Sequence, residues 1–291
     1  MPVVIHRLAY TPPLAWDVAR AWFAARAIPG VEEVTATTYR RCLRDGERAF
    51  VIEVRHAGNA PALDVTLDAA APGDVQSCLA RVAHVFDLAT DPAPIERHLR
   101  GDPLLARCVD ARPGLRPIRA WDPFELAVRA VLGQQVSVAA ARGLAARLVA
   151  LVDHRVPAAG ALTHVFPGPD ELLATDLSTL GMPRARRATL HAIAAAVRED
   201  PTLLAPTGEA DAAVARWCRI RGIGPWTAEY IALRALGAAD AFPGSDIGLL
   251  RAAAEAGVRP SPAALAARAE GWRPWRGYAA QHLWAAEPAD A

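Results

Sequence analysis

The sequence predicts an α+β fold, with an amino-terminal antiparallel sheet carrying helices, followed by an all-α region. Three observations carry this. Leu63-Asp64-Val65-Thr66-Leu67-Asp68 alternates apolar and polar residues with a period of two, the mark of a half-exposed strand. From Asp122 onward the chain shows only helix starts and helical spacing. Between the two regions, Pro92, Pro94, Pro103 and Pro113 mark broken structure and place a boundary near Arg112, giving a mixed domain over 1–112 and a helical one over 113–291.

In chain order, Trp16 to Ala27 is apolar at helical spacing, with Trp22 and Phe23 expected in a core. Ala49 to Val54 reads as a strand. The turn signal Gly58-Asn59-Ala60-Pro61 joins it to the alternating strand, which predicts an antiparallel pair. Val75 to Leu88 resumes helical periodicity. Asp122-Pro123-Phe124-Glu125 combines an N-cap acid, an N1 proline and an N3 glutamate, opening a helix to Leu132-Gly133. Further helices follow over Val136 to Val152, from Pro169, from Pro183 and from Asp211 to Ile220. Pro225 to Leu236, Asp246 to Ala256, Pro262 to Glu270 and Pro274 to Trp284 complete the set.

Composition excludes several chemistries. Net charge is +1, so an anionic partner must be met by a local patch. All 32 basic residues are arginine, which leaves no side-chain amine for Schiff-base chemistry and only the terminal amine beside Pro2. Cys42, Cys78, Cys108 and Cys218 lack metal-ligand spacing, arguing against a zinc site, an iron–sulfur cluster or a disulfide framework and for buried thiols in a reducing cytosol. No signal-peptide pattern opens the chain and no apolar run reaches the length of a membrane span, so a cytoplasmic location is expected.

The richest segment is Arg221-Gly222-Ile223-Gly224-Pro225-Trp226-Thr227-Ala228-Glu229-Tyr230. Two glycines around one apolar residue let a helix stop, turn and restart, and Pro225 suits the first position of the new helix. Such a turn presents free amides at a helix N-terminus, a seat for phosphate. An isolated Gly-Ile-Gly is better read as a plain tight turn. Here Arg216, Arg219 and Arg221 precede it, Trp226 and Tyr230 follow on one helix face, and Asp246 comes later. Asp246 stands at a helix start, where an aspartate is an ordinary N-cap, and a charged carboxylate is also favoured there.

The run Gly222 to Ala228 followed by Asp246 resembles the helix–hairpin–helix and Gly/Pro–Asp signature of base-excision DNA glycosylases. Phe124 to Gln134, Leu180-Gly181-Met182-Pro183 and Trp272 to Ala279 narrow the resemblance to the AlkA-type 3-methyladenine DNA glycosylase II family. Pro12-Pro13, Ala24 to Ala27 and Ala111 to Arg116 extend it over nearly the whole chain. The resemblance implies a TBP-like amino-terminal sheet and a helix–hairpin–helix core.

It also implies roles. Asp246 is the catalytic carboxylate facing the sugar of a flipped nucleotide, where it stabilises oxocarbenium character. Electrostatic and water-activating roles for Asp246 are both compatible with the sequence. Trp226, Tyr230 and Trp284 line the base pocket, and their electron-rich faces suit an alkylated, positively charged purine. Gly222, Gly224, Thr227, Arg219 and Arg221 hold the DNA backbone. Gln135 occupies the wedge position, where the family pattern has an apolar residue, so an altered opposite-base preference is expected. Trp226 stands where backbone-cutting relatives carry lysine, which implies a monofunctional hydrolase leaving an abasic site. No cofactor is required, although the main-chain carbonyls of Cys218, Ile220 and Ile223 are placed to hold a monovalent cation such as Na+. The implied partners of this monomer are damaged double-stranded DNA and the downstream repair enzymes that act on the abasic site, with no membrane. Competing readings are a non-catalytic helix–hairpin–helix DNA binder, which needs neither Asp246 nor Trp284, and a monofunctional glycosylase for another damaged base.

Overall fold

Five strands form one antiparallel sheet, β1 (Ile5–Ala9), β2 (Glu32–Val34), β3 (Thr38–Asp45), β4 (Arg48–His56) and β5 (Ala62–Leu67), in the order β1-β5-β4-β3-β2. The computed structural model describes residues 4–46, 48–68 and 75–286, so the terminal amine near Pro2 lies outside the described residues. The β4–β5 pair forms as the turn signal predicts, with Val54 opposite Val65. The alternating strand is less exposed than its pattern suggests, because β5 lies between β1 and β4 and Asp64 is buried under Arg7, whose Nε donates to it at 2.8 Å. Strand β3 escapes pattern reading for a related reason. Arg40, Arg41 and Arg44 interrupt the alternation, yet Arg41 points inward to an ion pair with Glu125.

Helices α1 (Trp16–Arg26) and α2 (Val75–Val85) cover the sheet around Trp16, Phe23, Tyr39, Val82 and Trp121. Phe23 is buried as expected, whereas Trp22 is only half-buried and turns to a cleft described below. The proline-rich stretch proves to be helical. Asp91 and Asp102 cap α3 (Pro92–Leu99) and α4 (Pro103–Ala111) by accepting from Ala93 N and Leu104 N, and each first proline sits at N1, where it costs no hydrogen bond. Ile95, Leu99, Leu104 and Leu105 pack into the larger, carboxy-terminal core, so side chains from both sides of residue 112 share it.

That core is built by α5 (Pro123–Leu132), α6 (Val138–Val152), α7 (Pro169–Ala174), α8 (Arg184–Glu199), α9 (Ala210–Trp217), α10 (Pro225–Arg234), α11 (Ile247–Ala252), α12 (Pro262–Ala269) and α13 (Arg276–Ala286). The region is not purely helical, since β6 (Arg155–Ala159) and β7 (Leu162–His164) form a short hairpin around the left-handed Gly160. A helix expected to run from Asp246 to Ala256 stops at Ala252, and Glu255 then pairs with Val258.

The two cores are joined by a buried, charge-balanced network. Arg41 Nη2 donates to Glu125 Oε2 at 2.7 Å, and Arg129 Nη1 donates to Glu32 Oε2 at 3.0 Å and Glu125 Oε1 at 2.9 Å. Burial alone would raise the Glu32 carboxyl, but Arg129 and Arg41 hold it below the ordinary carboxylate range. The sheet is thereby fixed against α5, and α1 is carried with it to the cleft.

His282 on α13 gives this core a pH dependence. Burial pushes its pKa down to about 4, and its Nδ1 has no hydrogen-bond partner. The unfolded chain therefore binds a proton that the folded chain refuses, so stability falls with pH from about pH 6.5 toward about pH 4. Between about pH 7 and about pH 5 this group should remove ~2 kcal/mol. Urea midpoints at the two pH values check it, with a smaller drop expected for His282→Gln.

Candidate active site

The hairpin begins where α9 ends at its C-cap, Cys218, and α10 begins after Gly224. Only the first glycine is required by backbone geometry. Gly222 lies at φ +89°, and a Cβ there would collide with Thr189 Oγ1 on α8. Gly224 has φ −94° as the N-cap of α10, with open space where a Cβ would be. Its value is the absence of a side chain at an exposed surface. The amides of both glycines have no acceptor among the described residues.

The predicted phosphate contacts separate on inspection. Arg219 and Arg221 are exposed and have no acid partner among the described residues, whereas Arg216 is taken by Asp200 at 3.0 Å. At Thr227 only the side chain is withdrawn, while its N–H in the first turn of α10 has no acceptor among the described residues. The residue is 3% exposed and its Oγ1 accepts from Gln134 Nε2, so its side chain braces the interior instead of facing a strand. Helical periodicity from Gly224 turns this position inward.

Asp246 is the N-cap of α11, with its Oδ1 accepting from Gly248 N at 2.9 Å and Leu249 N at 3.1 Å. Two tryptophans complete its shell. Trp284 Nε1 donates to Oδ1 at 2.9 Å and Trp226 Nε1 donates to Oδ2 at 2.9 Å. Four N–H donors thus converge on one carboxylate, three on Oδ1 and one on Oδ2, and fix its position. Trp226 reaches it from α10, Trp284 from α13, which packs on α11. The same indoles stand beside Tyr230. Trp226 and Tyr230 stack with centroids 5.6 Å apart, and Tyr230 meets Trp284 edge-on at 6.1 Å.

This group opens on a cleft of about 1530 Å³ that also takes in Trp22, Arg26, Gln135 and Arg234. Arg234 is 2% exposed, and burial lowers its guanidinium to about 10. Its centre lies 4.8 Å from the Trp284 ring and 5.6 Å from the Tyr230 ring. The rings therefore already carry one cation belonging to the chain. Gln135, the predicted wedge, is exposed in the turn between α5 and α6 with φ +57°. The structure brings together Asp246, Trp226, Tyr230 and Trp284 around the cleft, with Gln135 at its rim.

The family model for the AlkA N-terminal domain matches residues 5–122. A probable bifunctional transcriptional activator/DNA repair enzyme AlkA of Mycobacterium tuberculosis is 40% identical over 279 residues, covering 96% of this chain and 56% of that protein. The DNA-3-methyladenine glycosylase 2 of Escherichia coli is 35% identical over 286 residues, covering 97% of this chain and 98% of that protein. The chain belongs to the AlkA-type DNA-3-methyladenine glycosylase family. It spans about half the length of the mycobacterial relative. The 3-methyladenine DNA-glycosylase structure from Archaeoglobus fulgidus superposes with a TM-score of 0.85 at 21% identity, covering 98% and 99% of the two chains, which shows the fold shared by this family.

Within the family frame, sequence reasoning missed four residues of the site. Trp22 and Arg26 come from α1, Gln134 from the turn between α5 and α6 and Arg234 from the end of α10. Trp22 and Arg26 carry no local signal, since an amphipathic helix far away in sequence supplies them. Arg234 could have been found by spacing, lying i,i+4 from Tyr230 on the aromatic face.

Cysteine usage needs one revision. Cys42, Cys78 and Cys108 are buried, but Cys218 is exposed at the hairpin. Among the described residues no group of histidines, cysteines and acids is arranged to hold a metal, and no helix is long and apolar enough to cross a membrane.

Proposed function

We propose that the chain is a monofunctional DNA glycosylase that hydrolyses the N-glycosidic bond of alkylated purines, 3-methyladenine and related lesions, in duplex DNA. The observation that carries this is Asp246, a carboxylate held by four N–H donors at the edge of an aromatic cleft. A nucleotide flipped into the cleft would bring its base to Trp226, Tyr230 and Trp284 and its sugar toward Asp246. Loss of the base leaves positive charge on the sugar, which a fixed anion stabilises with no reorganisation. The four N–H bonds hold the carboxylate in one place, which suits this electrostatic role. The name of the Escherichia coli relative, a DNA-3-methyladenine glycosylase, supports the lesion class.

DNA is gripped in this reading by the free amides of Gly222 and Gly224 together with Arg219 and Arg221, while Gln135 fills the gap in the stack. A structural monovalent cation such as Na+ would sit at the same hairpin in this reading. The carbonyls of Cys218, Ile220 and Ile223 stand where helical donors run out, and Ile220 O, which accepts from Ile223 N, keeps a second lone pair. The test of the function is release of free methylated bases from alkylated duplex DNA. No release by the folded protein would defeat it.

The absence of backbone cleavage rests on Trp226 and on a chain without lysine. Borohydride added during turnover is expected to trap no covalent protein–DNA adduct, because no side-chain amine can form the Schiff base. A trapped adduct would overturn the monofunctional assignment.

A further inference from the structure

We infer that Gln134 is a positioning residue that ties the wedge turn to the DNA-gripping hairpin, so that strand contact and wedge insertion act as one unit; this rests on the glycosylase reading above. Gln134 is half-buried in the turn between α5 and α6, immediately before the exposed Gln135. Its Nε2 donates to Gly222 O at 3.2 Å and to Thr227 Oγ1 at 3.1 Å. Gly222 O can only accept, which fixes the orientation of the amide, and the second bond uses its other hydrogen. One acceptor lies in the hairpin turn and the other in the first turn of α10, so a single side chain spans both.

The main chain of the same residue is held from another side. Arg186 Nη1 on α8 donates to Gln134 O at 2.8 Å. Helix α8 also carries Thr189, whose side chain fills the space beside Gly222. The wedge turn and the hairpin thus share one brace and one supporting helix. The brace is needed because Gln135 sits in the left-handed region, which costs a residue with a Cβ about 1 kcal/mol, and nothing covers its side chain. A turn held this way delivers the wedge at a set distance from the gripped phosphates. Freed, it would wander by about 1 Å, a displacement large enough to slow a catalysed step roughly a hundredfold.

Gln134→Met keeps the side-chain length and removes both donors, and Thr227→Val keeps the shape and removes one acceptor. Gln134→Met is expected to lower single-turnover release of methylated base by about ten- to a hundredfold. The fluorescence rise of a 2-aminopurine placed beside the lesion should shrink in parallel, while affinity for undamaged duplex and the urea midpoint stay close to wild type. Thr227→Val should act in the same direction but more weakly, and the double variant should fall short of the sum of the two. Wild-type release and fluorescence in Gln134→Met would remove the inference alone. An equal loss of affinity for undamaged duplex would overturn it too, since the hairpin itself would then have collapsed, and so would full additivity in the double variant. A wild-type protein that releases no methylated base would defeat the functional reading and this inference with it.

Discussion

Asp246→Asn is expected to lower release of methylated base from alkylated DNA by about 10²- to 10³-fold, the scale on which a single preorganised electrostatic contact to a transition state acts. The variant separates chemistry from folding because asparagine caps a helix about as well as aspartate. Its amide oxygen can take the place of Oδ1, keeping the bonds from Gly248, Leu249 and Trp284. Its amide nitrogen would then face Trp226 Nε1, donor against donor, and lose one bond worth about 1 kcal/mol. Single-turnover release measured beside a urea melt distinguishes the two effects. Release at the wild-type rate by a folded Asp246→Asn would sink the catalytic assignment, whatever the fold.

Gly222→Ala should carry the largest structural effect in the site. The methyl group would collide with Thr189 Oγ1, and the residue would be held at φ +89°. Left-handed strain and overpacking together should destabilise the protein by roughly 2–4 kcal/mol. Duplex DNA affinity should fall with stability, because the same turn presents the free amides. Thr189→Ala in the same chain should recover the steric part but not the backbone part, leaving a residual loss of about 1–2 kcal/mol. Urea denaturation and fluorescence anisotropy at fixed salt measure both. If Gly222→Ala matches the wild type in both, the hairpin is not the constrained element described above. The matching change at Gly224, with nothing near its missing Cβ, should be well tolerated in stability and show itself only in DNA affinity.

Much of the fold could be read in advance where local signals agree with tertiary placement. Asp122-Pro123 starts α5 and Pro225 starts α10, because capping and proline geometry are properties of a few adjacent residues. The same chemistry was present at Asp91-Pro92 and Asp102-Pro103, and there the density of prolines obscured it. Strand β3 was hidden by its arginines. Local polarity cannot reveal that Arg41 will be neutralised by Glu125, which lies eighty-four residues away.

For the site, motif spacing placed Trp226 and Tyr230 on one face and singled out Asp246, and the resemblance implied the roles of Asp246 and Trp284. Neither reported that both indole N–H groups would point at the carboxylate. That outcome depends on the crossing of α10, α11 and α13. Thr227 shows what a motif leaves open, since helix phase buries its side chain against Gln134.

Residue types and short-range spacing thus decide the glycine turn, the helix starts, the aromatic face of α10, the absence of lysine and the family. Those depend only on bonded geometry and on which groups exist. Tertiary packing alone decides that Asp246 receives four donors, that Arg234 lies against the Tyr230 and Trp284 rings, and that Gln134 links the α5–α6 turn to the hairpin. Each of these is a distance of about 3–6 Å between residues far apart in the chain, created by burying apolar surface elsewhere, and no local pattern encodes it.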